Sequence, residues 1–152
     1  MNHGMQIAYD EAINGMHNND GGPFGAAIIH NGEVVASAHN EVLRTNDPTA
    51  HAEINAIRKA SQILGRFDLS DCILYTTCYP CPMCMGAILW ARIPAVYYGA
   101  SKADAARGGF DDNQFYTLLQ HPDTALDLHP VDTEKTKKLF DLWLAKKDRI
   151  LY

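Results

Sequence analysis

Residues 72–100, CILYTTCYPCPMCMGAILWARIPAVYYGA, decide the fold. CILYTT is a short β-rich run, PMCMGAILWAR is helical with small and apolar residues nearly all round, and AVYYGA is a second buried strand. Strand, helix and strand in that order predict a right-handed parallel crossover. Upstream, FGAAIIHNGEVVASAHN at 24–40 reads as two apolar runs joined at Asn31-Gly32, a strong short-range hairpin signal. Antiparallel strands are therefore expected at about Gly25 to His30 and Glu33 to His39.

Working outward, Met5, Ala8, Tyr9, Ala12, Ile13 and Met16 recur at helical steps, predicting an amphipathic helix over 5–17 that HNNDGGP ends. Asp47-Pro48 opens a second helix, about 49–64, with a capping residue followed by proline, and Gly65 closes it. A last strand is expected at about Leu126 to Val131 and a helix from Thr133 to Lys147, with Leu139, Leu142 and Trp143 on one side. The most loop-like stretch is ARGGFDDNQ at 106–114. No repeat, low-complexity segment or linker divides the chain, so residues 1–152 read as one domain. Its expected form is three-layer α/β/α with a mixed five-stranded sheet, an antiparallel hairpin joined to parallel strands.

Charge narrows the partners. Thirteen Lys and Arg against 18 Asp and Glu give a net charge of −5, and the basic residues cluster only at Lys135–Arg149. Nucleic acid is a poor partner for such a surface, because phosphate binding needs a basic stripe. The N-terminal stretch does not read as a signal peptide, and no apolar run approaches the length of a membrane span. A soluble, cytoplasmic protein is expected. In a reducing compartment, cysteines at CxxC spacing are more often metal ligands or redox groups than disulfides.

Three of the four cysteines, Cys78, Cys81 and Cys84, fall within seven residues. Pro82 opens a helix there, and Cys81 and Cys84 share one face of its first turn, where free N–H groups and the helix dipole favour thiolates. His51 and Glu53 lie in the first turn of the earlier helix. Two residues are about 200° around the axis, so they converge only on something off the helix end. His51, Cys81 and Cys84 are thus candidate ligands of one Zn2+ whose open fourth position holds water. Zinc lowers the pKa of water from about 15.7 toward about 7, and two thiolates weaken that effect, so a nearby base is needed. Glu53 is the candidate base and proton shuttle. A structural Cys3His zinc site remains the competing reading of these residues. An iron–sulfur cluster is disfavoured because Ile88 stands where a further ligand belongs, and a thioredoxin-like pair is disfavoured by the surplus of ligands. Cys72 and Cys78 read as small core residues.

HAE at 51–53 followed by PCPMC at 80–84 matches H-x-E…P-C-x-x-C, the signature of the zinc nucleobase deaminases. The chain resembles the cytidine deaminase superfamily from about Gly21 to Gly99. With GGPFGAAII, NDPTAHAEINAIRKA, LYTTCYPCPMCMGAILWAR, GGFDD and a terminal tyrosine, it looks most like the small bacterial guanine deaminases. That resemblance implies a cytidine-deaminase-like fold and hydrolysis of guanine to xanthine and ammonia. It also implies a purine-binding pocket in which Asn40 grips the base, Phe24 stacks on it, Asp112 contacts it and the Ala52 N–H meets the ring carbonyl. Trp90 reads either as pocket lining or as core. The resemblance further implies a homodimer in which the C-terminal segment, about 133–152, is exchanged between subunits so that Tyr152 closes the partner's pocket. Another free base such as cytosine, or adenosine in tRNA, is the alternative substrate. Tyr79 stands where many relatives carry glutamate, a departure that bears on substrate preference and not on zinc.

Overall fold

Gly4, Ala8, Ala12 and Gly15 form a continuous small-residue face on the first helix, α1 (His3–His17), and this face is what the helix buries. In the computed structural model, which describes residues 1–152, the side chain of Asn2 caps α1 by accepting from the N–H groups of Gly4 and Met5 at 2.9 and 3.3 Å. The smallness lets α1 lie very close to the sheet: a Cβ on Gly25 would come 1.9 Å from the carbonyl oxygen of Ala8. The periodic Tyr9 and Met16 face outward, so the helix was legible but its buried stripe is narrower than its hydrophobic pattern.

The chain divides into two compact units, Met1–Gln114 and Phe115–Tyr152. In the first, β1 (Gly25–His30) and β2 (Glu33–His39) form the expected hairpin, with Asn31 and Gly32 at φ of 52° and 81°, as a type I′ turn requires. A short helix, α2 (Val42–Thr45), follows. Next come α3 (Ala52–Leu64), β3 (Cys72–Cys78), α4 (Pro82–Trp90) and β4 (Ala95–Ala100). The sheet order is β2-β1-β3-β4; β1 pairs antiparallel with β2 and β3, and β3 parallel with β4 across α4. The first helix covers one face through β1, β2 and β3, while α3 packs on β1, β2 and α4. The main core lies among Ile28, Leu69, Leu74, Ile88 and Ile93, with Ala52, Ala56 and Ala60 as the contact stripe of α3.

Three expectations need correction. The sheet has four strands, not five: residues 126–131 form no strand, and Pro130 removes a donor that a ladder there would require. The helix expected from 49 starts at Ala52, because Asp47 bonds the N–H and hydroxyl of Thr49 in a local turn and His51 takes the capping position. The loop at 106–114 is shorter than expected, since α5 (Lys102–Arg107) and α6 (Asn113–Leu118) take its ends. The second unit contains a 3-10 turn at Pro122–Thr124 and α7 (Thr133–Ala145), with Leu139, Phe140 and Leu142 of the helix exposed.

Candidate active site

His51 and Cys81 are the N-caps of α3 and α4, both in extended conformation with ψ of 158° and 167°. Neither side chain is used to cap its own helix, so the imidazole and the thiol remain available to a ligand. Pro82 fixes the first turn of α4, and Cys84 lies fully buried within that turn. The Nδ1 of His51 stands 3.5 Å from the sulfur of Cys81 and 3.5 Å from that of Cys84, and all three donors lie within 4.8 Å of one another. A tetrahedral Zn2+ with bonds of about 2.3 Å to sulfur and about 2.0 Å to nitrogen sets S and N about 3.5 Å apart. The donor set and its spacing therefore fit the ion, and three donors leave one of four positions to a small ligand.

Glu53, in the first turn of α3, is 6 % exposed. Its Oε1 accepts from the hydroxyl of Thr76 at 2.9 Å, and its Oε2 lies 3.4 Å from the sulfur of Cys84. Burial pushes its pKa up, against the bond from Thr76. At the ligands, the bond from Cys84 draws the Cys81 thiol down to about 4, with His51 adding to the effect. Cys84 moves upward, because the neighbouring Cys81 thiolate, burial and Glu53 all disfavour a second negative charge. The bond to Cys81 raises His51 above its ordinary value. Without metal this trio holds one easily formed thiolate; a divalent cation supplies the charge that a second thiolate needs. Cys72 and Cys78 are both raised by burial, Cys78 to about 11, so they are neutral thiols as a core role requires.

The other predicted site residues are distributed around this centre. Asn40 follows the last residue of β2 and is buried; its Oδ1 accepts from the N–H of Val42 at 3.0 Å and its N–H bonds the carbonyl of Phe24 at 3.0 Å. Ala52, the first residue of α3, is fully buried. Asp112 lies within electrostatic reach of Cys81 and His51; burial and then the Cys81 thiolate push its carboxyl upward. Phe24 packs edge-on against Phe110, with ring centres 4.9 Å apart. Trp90 is different: it stands at the opposite end of α4 from Cys84 and is 64 % exposed. Tyr152 belongs to the second unit and is 70 % exposed.

Sequence reasoning missed three residues of this region. Thr76 is set on β3 so that it faces Glu53 of α3, on the same side as Leu74 and Cys78; the alternation of CILYTTC carries that signal. Asn55, one turn beyond His51, bonds the carbonyls of His39 and Ala50 at 3.1 and 3.3 Å. Phe110 is recognisable only by its contact with Phe24.

Two helix N-termini presenting His, Cys and Cys, with a buried carboxylate beside them, define a zinc-dependent hydrolytic deaminase site. The model of the cytidine and deoxycytidylate deaminase zinc-binding region matches residues 2–100, and the chain belongs to that family. The chain is 52 % identical to the guanine deaminase of Bacillus subtilis over 124 residues, 80 % of each chain. The X-ray structure of guanine deaminase from Bacillus subtilis superimposes with a TM-score of 0.95, covering 100 % of this chain and 99 % of that one at 44 % identity. The tRNA-specific adenosine deaminase of Agrobacterium fabrum is 42 % identical over 70 % of this chain and 71 % of its own. A guanine deaminase structure from Nitrosomonas europaea matches with a TM-score of 0.68 at 31 % identity, over 72 % of this chain and 63 % of that one.

Proposed function

We propose that the protein hydrolyses guanine to xanthine and ammonia. The observation that carries this reading is the buried Glu53 carboxylate, held by Thr76 beside the His51, Cys81 and Cys84 donors, in a chain half identical to a bacterial guanine deaminase. When bound, zinc supplies a Lewis acid that acidifies water near neutral pH. Glu53 takes one proton from the attacking water at Oε2 and passes it to the adjacent ring nitrogen, then takes the second from the hydroxyl now on C2 and passes it to the departing 2-amino group as the C2 carbonyl forms. Water adds to C2, the C2–N bond breaks, and one water is consumed for each ammonia released. Burial suits this role, since it raises the pKa of the carboxylate and so helps it hold the proton it takes before returning it.

Asn40 has its carbonyl oxygen engaged by Val42, which leaves its amide N–H groups to donate to acceptors on the base. Asp112 accepts from ring N–H donors, and the Ala52 N–H, at the uncapped start of α3, meets the ring carbonyl. Phe24 provides the stacking face. A tRNA substrate is disfavoured by the net charge of −5.

A homodimer with exchanged C-terminal segments is part of the same reading. The second unit leaves Leu139, Phe140, Leu142, Ile150 and Leu151 exposed, and β4 ends the sheet with Tyr97 and Tyr98 exposed, so both have apolar surface for a second copy to cover. Tyr152 then closes the partner's pocket. Mixing a Glu53→Gln subunit with a subunit lacking its last residues restores turnover if pockets are shared; no restoration excludes exchange.

Ammonia release by the zinc-loaded protein across guanine, cytosine, adenine, guanosine and a tRNA tests the substrate. Guanine alone supports the proposal. Release from another base keeps the zinc chemistry and removes the pocket assignment, and release from none favours a structural metal site.

A further inference from the structure

The side chain of His39, the last residue of β2, is held between carboxylates from different parts of the chain. Its Nδ1 lies 2.7 Å from Oε2 of Glu11 on α1, and its Nε2 lies 2.8 Å from Oδ2 of Asp20 in the segment leading to Phe24. Oε1 of Glu41 is 3.8 Å from the same Nε2. A neutral imidazole has one donor and one acceptor nitrogen, so it would set a lone pair against one of these carboxylates; only the imidazolium donates to both. All of these side chains are mostly shielded from solvent. The ring has no room to swing away on the α1 side, where a Cβ on Gly15 would meet its Cδ2 at 2.4 Å.

The carboxylates are themselves tied down. Glu11 Oε1 accepts from the hydroxyl of Ser37 at 2.6 Å, and the Ser37 carbonyl accepts from the ammonium of Lys59 on α3, which also acts on Glu11. The backbone carbonyl of Asp20 accepts from the N–H groups of Leu43 and Arg44 at 2.9 Å each, and Arg44 pairs with Glu41 at 2.7 Å. Asn40 adjoins His39, Gly21 adjoins Asp20, and a Cβ on Gly21 would lie 2.1 Å from Oδ1 of Asn40. Burial lowers the histidine pKa, but the two hydrogen-bonded carboxylates outweigh it and the net shift is upward.

We infer that His39 is a positioning residue: bridging Glu11 and Asp20 as an imidazolium, it fixes the Asn40 and Phe24 side of the base pocket. This rests on the deaminase reading for its substrate, and on the geometry alone for its charge. It touches neither zinc donor nor reacting atom, so it acts on binding and not on the chemical step.

The test has a part that needs no turnover. In 15N NMR of the wild-type zinc protein at pH 7, both ring nitrogens of His39 carry protons; a neutral ring with one protonated nitrogen overturns the inference. His39→Gln, which donates from one nitrogen only, raises KM by about tenfold while kcat stays within about twofold and zinc content is unchanged. An unchanged KM, or a fall in kcat alone, overturns it. Glu11→Gln removes one carboxylate without touching the pocket and moves the alkaline fall in kcat/KM to lower pH; an unmoved limb argues against the bridge. If guanine is not the substrate, the same constants are read on the base that is turned over, so failure of the substrate assignment and failure of the His39 role remain distinguishable.

Discussion

Gly25→Ala tests the closeness of α1 to the sheet, on which the geometry of the pocket side depends. The new Cβ would sit 1.9 Å from the carbonyl oxygen of Ala8 and 2.7 Å from the nitrogen of Ala12. Both are helix backbone atoms, which have no rotamer to escape into. Restoring ordinary contact requires α1 to lift by roughly 1.5 Å at that point, more than the ~1 Å gap that already forfeits half of a dispersion contact. Overpacking costs about 1–3 kcal/mol, and a backbone obstacle belongs at the top of that range. Restriction of the unfolded chain by alanine returns about 0.4–1 kcal/mol. The net loss is about 2–2.6 kcal/mol, which for a domain of this size lowers Tm by about 4–10 °C. Thermal unfolding of the zinc-loaded protein, followed by circular dichroism, measures it. Gly86→Ala is the matched control: it lies inside α4 with nothing within 4 Å of the new Cβ, and should stabilise by about 0.5–1 kcal/mol. If Gly25→Ala melts within about 2 °C of the parent, the tight seating of α1 is wrong.

Other perturbations address the site. Glu53→Gln keeps an acceptor for Thr76 and nearly the same volume, so zinc content and fold should persist while turnover falls by about 10²- to 10⁴-fold; ammonia release with metal analysis decides, and turnover within tenfold would remove Glu53 from proton transfer. Removing zinc with a chelator should abolish turnover and lower Tm, by about 2.7 kcal/mol of lost linkage at a free zinc level of 100 Kd, and added zinc should restore both; full activity in metal-free protein contradicts the assignment. The raised pKa of His39 also predicts a pH effect on stability. A group with a raised folded pKa stabilises fully below its unfolded value, about 6.5, and the benefit is lost as pH rises through the folded value. Urea midpoints should therefore show wild type losing its advantage over His39→Gln as pH is raised; a difference that does not change with pH refutes a charged ring.

His51 stood out through HAE and not through its capping position, since the helix was expected from 49, whereas Cys81 and Cys84 were readable from a local signal, Pro82 at the start of α4. The hairpin was readable from Asn31-Gly32 for the same reason. The buried face of α1 was not, since the stripe that matters is made of Gly and Ala selected by the approach of Gly25, while the hydrophobic pattern highlights Tyr9 and Met16. Alternating apolar residues near 126–131 suggested a strand that Pro130 disfavours. The Glu11–His39–Asp20 bridge joins residues 28 and 19 positions apart, and nothing local marks charges that meet only after folding.

The hairpin turn and the zinc donors occupy opposite rims of the sheet. His30 pairs with Cys72 beside the turn, whereas Ala26 pairs with Thr76 at the rim that faces Glu53. A strand of six residues spans about 20 Å, and a Cβ on Gly32 would meet nothing within 4 Å. The Asn31-Gly32 turn is thus a natural anchor point: a linker grafted there can hold the catalyst on a solid support or join it to a second enzyme that consumes its product, at the rim away from Glu53.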